Sequence, residues 1–257
     1  MIVKEANVAY KINEPLNEQK IDEKNSYHDF ANLMTTVLIV FSLYTLTLIP
    51  LRSFVEHFGV STFVDIALIA IFTIVIFIFI KKSRYSLATF GLTLSKWKIH
   101  VREATLLTLP ILIFFLILKW GLITFVSAYS HIRLFNLGAA FTDIEFTLTI
   151  FLGTVLIYIV FCFIQEFIAR GGLQSAFQLL LPNGKGKTFK AILLSNLLFA
   201  VAHTHIGTVF ALAAFIPGLF WGWMYARQKS IIGVSVSHIL IGVWVLFILG
   251  FSEFINN

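Results

Sequence analysis

Charge is what this sequence has least of. Only 12% of its residues are Asp, Glu, Lys or Arg, and 58% are hydrophobic. A soluble domain carries about 25% charged residues, so a water-soluble globule is excluded. Acidic residues are scarcest: between Glu145 and Glu253 the chain holds a single one, Glu166. Cysteine is nearly absent, and the lone Cys162 excludes an internal disulfide. The apolar runs lack strict alternation, which excludes a transmembrane barrel. Residues 1–29 lack any apolar run, and the first apolar segment starts too late and runs too long for a signal peptide. Several hydrolase signatures are also missing: there is no HExxH zinc helix, no GxSG serine loop and no pair of membrane aspartates.

What remains is a series of long apolar segments. They predict an all-α, polytopic transmembrane helix bundle of about seven spans. Residues 1–29 read as a polar cytoplasmic tail, and 30–257 as one transmembrane helical domain. The spans fall near Phe30–Leu51, Thr62–Ile80, Ala104–Val126, Phe146–Leu181, Phe189–His203, Thr208–Tyr225 and Ile231–Phe251. The basic connector around Lys96, Trp97 and Lys98 reads as a short interfacial helix. Lys119, inside the third span, must snorkel or face the interior.

Alternate loops then carry very different charge. Fifteen Lys and Arg lie in the tail and in the loops on its side; only Arg52 and Arg133 lie on the other. The positive-inside rule places the N-terminus in the cytoplasm and the C-terminus outside. The net charge of +6 is explained by this topology, and no nucleic-acid partner is expected. The protein is expected to be a multi-pass integral membrane protein, in the cytoplasmic membrane if the source is bacterial.

The informative residues are the polar ones within the apolar segments. Glu166, Arg170 and Gln174 are spaced by four and climb one face of a helix, with Gln165 beside them. A charged group at mid-bilayer costs ~2.5–3.5 kcal/mol on insertion scales, so such groups face a bundle interior and find partners. Arg170 is therefore expected to be structural, paired with Glu166 or another acceptor on the inward face of the fourth span. Asn196 and His203 share a face of the fifth span; Ser235, Ser237 and His238 lie on the seventh. At 1.5 Å rise per residue, Glu166, His203 and His238 lie ~14–22 Å below the cytoplasmic ends of their helices. Their depths let them meet in one cavity. A carboxylate and two imidazoles suit water activation and oxyanion stabilisation; the same three are the ligands if zinc binds. Ala214, Gly218, Gly222 and Ala226, also spaced by four, form a small-residue packing face.

The runs QEFIARG, FAVAH and GLFWGWMYARQKSIIGVSVSHILIG, within about 146–251, resemble the CAAX-protease and bacteriocin-processing (Abi) family of intramembrane proteases. Its pattern is EExxxRG, then FxxxH, then HxxxN or HxxxD. Glu166 matches the second glutamate, Arg170 the arginine, and His203 and His238 the two histidines. Gln165 stands at the first glutamate and Gly242 at the final Asn or Asp. The resemblance implies an endopeptidase acting on a hydrophobic or lipidated peptide, with Glu166, His203 and His238 catalytic and Gln165, Arg170, Asn196 and Gly242 supporting. In the prenyl-protein branch the first glutamate and second-motif histidine are held to activate water. The third-motif histidine and asparagine are held to form the oxyanion hole. A glutamine is not a base at neutral pH and glycine has no side-chain donor. Two readings follow: a peptidase in which Glu166 is the base, or a family member without proteolysis that binds a membrane peptide, as in bacteriocin immunity. The family is often labelled a metalloprotease, but with Gln165 in place of a carboxylate no tight metal site is expected. A transporter ranks lowest, for want of an internal repeat.

Overall fold

The structure is a computed structural model that describes residues 27–256 apart from 29–30, 33, 37, 40, 44, 47–60, 84, 142–144 and 205–206. The expected tail up to residue 26, Pro50 and Arg52 lie outside the described residues; Tyr27 and His28, at its end, are helical. The described chain is all helical. Helices run Met34–Leu43 (α1), Ser61–Lys82 (α2), Trp97–Phe125 (α3), Leu148–Leu180 (α4), Lys187–Ala202 (α5), Thr208–Gln228 (α6) and Ile231–Ile248 (α7). Among the described residues, four of these, α3, α4, α6 and α7, are long and apolar enough to cross a membrane. The chain is thus a transmembrane helix bundle. Its outer surface agrees: Leu106, Ile113, Ile117, Leu152, Leu156 and Ile216 are all exposed, an apolar surface that hydrocarbon accepts and water does not.

The helices begin and end where the sequence punctuates them. Thr147 caps α4 by accepting from the Ile150 amide at 3.2 Å, and Ser230 caps α7 through Ile232. The chain between α2 and α3 closes with Gly91 in the left-handed region. A separate interfacial helix around Trp97 is not formed: Trp97–Phe125 is one continuous helix of 29 residues. Its entry is made by Lys96 in the left-handed conformation, so the amphipathic connector becomes the first turns of α3. Lys119 takes the interior option. It is fully buried, bonded to the Leu249 carbonyl and 3.5 Å from Glu253.

Packing centres on the middle of α4. α5 runs along α6, α3 along α7, and residues 167–174 of α4 touch α2, α5, α6 and α7. Those eight residues form a π-helix, the wider i→i+5 turn that recurs at functional sites. Its two glycines let neighbours in. A Cβ on Gly172 would lie 2.8 Å from Ile76 of α2, and one on Gly171 3.0 Å from the Phe90 carbonyl. A second π-helical stretch, Val243–Ile248, follows Gly242 in α7.

The small-residue face of α6 is the counterpart of the polar face of α4. Arg170 donates to the Gly218 carbonyl and Gln174 to the Gly222 carbonyl, both at 2.8 Å. One turn further, Ser175 and Tyr225 share a 2.6 Å hydrogen bond. A Cβ at Gly218 would overlap the Asn196 amide, and one at Gly222 would stand 2.7 Å from Ile192. The glycines therefore let α5 side chains and the α4 ladder reach α6 backbone, which in hydrocarbon has no water to satisfy it.

Candidate active site

Two groups of residues meet at the middle of α4. The first is fully buried. Glu166 and Arg170 are both 0% exposed, and His238 of α7 is 6% exposed. Arg170 Nε donates to one Glu166 oxygen at 3.2 Å, and His238 Nδ1 lies 2.8 Å from the other. Arg170 Nη2 reaches the Gly218 carbonyl at 2.8 Å and Asn196 Oδ1 at 3.4 Å. Asn196 in turn donates to the Phe215 carbonyl at 2.8 Å, so one amide ties α5, α6 and the guanidinium together. The expected Glu166–Arg170 pair is present, and Asn196, expected to support the site, and His238 converge on it.

A carboxylate accepts, so the nitrogen of His238 facing Glu166 carries the proton, and Nε2 points away from the pair. The imidazole is held flat: Trp221 stacks on it with ring centroids 3.9 Å apart and planes at 20°. Trp221 Nε1 donates to Ser237 Oγ at 3.2 Å, which also accepts from Thr108 at 2.7 Å. The hydroxyls thereby fix the indole, and the indole fixes the imidazole.

The second group lines a cavity of about 90 Å³. Its walls are mostly apolar, from Phe41, Phe72, Ile168, Leu173 and Leu198, and its polar members are Gln165 and His203. Glu166 and His238 are not among its lining residues. His203 stands just past the end of α5, with Nδ1 2.7 Å from the Phe199 carbonyl. A carbonyl accepts, so the proton sits on Nδ1 and Nε2 is the basic nitrogen.

Phe199 joins the groups. It lines the cavity, and its ring centroid lies 4.5 Å from that of His203 and 6.2 Å from that of His238. The Arg170 guanidinium lies over the same ring at 5.5 Å. His238 is therefore one ring behind the wall that His203 lines.

The residues do not fit a zinc site. Among the described residues no group of three His, Cys, Asp or Glu is placed to hold a metal ion. Both Glu166 oxygens are taken, one by Arg170 and one by His238.

Three contributors were not among the expected site residues: Trp221, Phe199 as the shared wall, and Tyr158. The ring of Tyr158 meets His238 edge-on, centroids 6.3 Å apart. Its spacing of seven from Gln165 on one helix face was the signal that could have found it.

Comparison with known proteins extends this. No curated protein and no solved structure matches the chain. Residues 146–244 match the family described as type II CAAX prenyl endopeptidase, Rce1-like. The matched segment spans α4 to α7 and contains Gln165, Glu166, Arg170, His203, His238 and Gly242. That match bears out the resemblance read from the three motifs.

Proposed function

We propose that this protein is an intramembrane endopeptidase that hydrolyses a hydrophobic or lipidated peptide, with His203 and His238 as its reacting groups. One observation carries the reading: both imidazoles pack on Phe199 at the wall of a single apolar cavity. His203 Nε2 takes a proton from water and the resulting hydroxide attacks the scissile carbonyl carbon. The carbonyl oxygen becomes an oxyanion. His238, as an imidazolium whose charge Glu166 balances, donates to it from Nε2 once the Phe199 ring turns aside. The C–N bond then breaks, and His203 returns its proton to the leaving nitrogen. Glu166 acts through His238, orienting it as a carboxylate orients an imidazole in a hydrolytic triad, and Gln165 positions the water. The apolar walls suit an aliphatic or prenyl chain.

A second reading rests on its own observation. Among the described residues, the polar lining of the cavity is Gln165 and His203, with no carboxylate. In that reading the cavity binds a membrane peptide without cutting it, as an immunity protein would. The experiment is cleavage of an internally quenched peptide ending in a farnesyl-cysteine CAAX sequence, in detergent and in vesicles. The endopeptidase reading expects turnover by wild type and loss in His203→Ala. Binding of the peptide with no cleavage under either condition establishes the second reading instead.

A further inference from the structure

Gly242 lies one turn beyond His238 on α7. It has no side chain, yet the space where one would stand is filled. A Cβ built at Gly242 would fall on the hydroxyl oxygen of Tyr158 and 2.8 Å from its Cε1. Tyr158 comes from α4, two turns before Gln165. Seven residues bring it back to nearly the same face, so it stands on the stripe of α4 that reaches the cavity at Gln165. Its ring is held by Phe247 at 5.3 Å, edge to face, and meets His238 at 6.3 Å in the same manner. The phenol is thus fixed beside the imidazole, its hydroxyl delivered to the position a residue-242 side chain would occupy.

We propose that the Tyr158 hydroxyl is a second oxyanion donor, acting with His238 on the substrate carbonyl; this rests on the hydrolytic reading above. The hydroxyl is a neutral donor on a ring with two rotatable angles, so little order is lost in aiming it. Its neighbour one turn on, the Cys162 thiol, is a weak acceptor that a developing alkoxide displaces. Tyr158 keeps its proton throughout and makes no covalent bond. Glycine at 242 is required by the arrangement: any larger residue collides with the hydroxyl.

The test uses the full chain, the quenched farnesyl-CAAX peptide and a phosphinate analogue in which a tetrahedral phosphorus replaces the scissile carbonyl. Tyr158→Phe removes only the oxygen. The expected result is a fall in kcat of ~10²–10³-fold, the loss found on removing one oxyanion donor. KM and the melting temperature are unchanged, and phosphinate affinity falls by a similar factor while substrate-peptide affinity holds. Gly242→Ala, which leaves Tyr158 present but displaces its hydroxyl, gives the same losses of kcat and phosphinate affinity, with a lowered melting temperature from the added methyl, and serves if Tyr158→Phe does not fold. Cleavage by wild type with both variants within twofold of it overturns the Tyr158 assignment alone. A wild type that neither cleaves nor prefers the phosphinate overturns the hydrolytic reading and the assignment together. A wild type that does not cleave but binds the phosphinate tightly, in a Tyr158-dependent way, upholds the donor and ends the turnover reading.

Discussion

Gln165 and Glu166 are neighbours on the chain and face different surroundings. Gln165 looks into the apolar cavity with His203. Glu166 is fully buried, with Arg170 on one oxygen and His238 on the other. About 100° of helix rotation separates them. The cavity side is neutral and half-exposed; the bundle side concentrates a carboxylate and a guanidinium among apolar helices. The difference teaches that the conspicuous charge need not be the group that meets substrate. In hydrocarbon a charge survives by being partnered, as both Glu166 oxygens are, and that partnering keeps it out of the cavity lining. On the proposed reading, the group left to meet water is then the inconspicuous one, a half-buried histidine at a helix end.

The bundle side should break first and hardest. Arg170→Met leaves the Glu166 carboxylate, the Gly218 carbonyl and Asn196 without their donor. Breaking one partner of a buried pair costs ~3–5 kcal/mol, so folded yield in detergent and the unfolding midpoint should both fall sharply. Glu166→Gln with Arg170→Met removes both charges and should recover a good part of that loss. If Arg170→Met melts with wild type, the bundle side is not structural and the contrast collapses.

On the cavity side the effect should be catalytic instead. His203→Ala should lower cleavage by ~10²–10⁴-fold, the range for a general base, while moving stability by under ~1 kcal/mol, since the ring sits at a cavity wall. His238→Ala should lower both, because it also strips Glu166 and Trp221 of a partner. Equal stability losses in the two histidine variants would erase the distinction between the sides.

Much of this was legible in the sequence. The apolar segments located the helices, the spacing of Glu166, Arg170 and Gln174 gave the polar face, and the four-residue spacing of Gly218 and Gly222 gave its counterpart. Other features were not legible, for physical reasons. A π-helical stretch has no local signature; here it contains Gly171 and Gly172, which the Phe90 carbonyl and Ile76 approach closely. The rotation between Gln165 and Glu166 follows from helix geometry, but which of them meets the cavity depends on where α5 and α7 pack. Trp221 reads as one more apolar residue of α6 until its ring is found stacked on His238. Glu166 as the base was the simplest reading of a lone carboxylate; that Arg170 and His238 occupy its two oxygens was not legible in the spacing, and it supports the proposed role through His238.

A sharper test moves a carboxylate to the cavity side. Gln165→Glu places it in the cavity that His203 also lines, on the face away from Arg170. With a second base in the same cavity as His203, cleavage should rise by up to ~10-fold, a modest part of what acid–base groups supply. The gain should be present where the new carboxylate is ionised and vanish as pH falls and it is protonated. A rise that persists in acid would show that the substitution acts by shape and not by charge.

The smallest expected effect concerns metal. If zinc were held by Glu166, His203 and His238, a chelator would abolish cleavage and added zinc would restore it. Such a site needs its donors turned to one point at about 2.0–2.2 Å. Here Glu166 spends its oxygens on Arg170 and His238, and His238 turns Nδ1 to the carboxylate. His203 turns Nδ1 to the Phe199 carbonyl, with the Phe199 ring packed on both imidazoles. Gathering the three on a metal would break the buried Arg170–Glu166 pair, so metal binding would be measurably coupled to stability. Cleavage in EDTA should therefore stay within about twofold of the untreated rate, and zinc should not raise the melting temperature. A zinc-dependent rise in melting temperature, lost in Glu166→Gln, would mean that the two sides of α4 rearrange into one site, and the contrast drawn between them would fall.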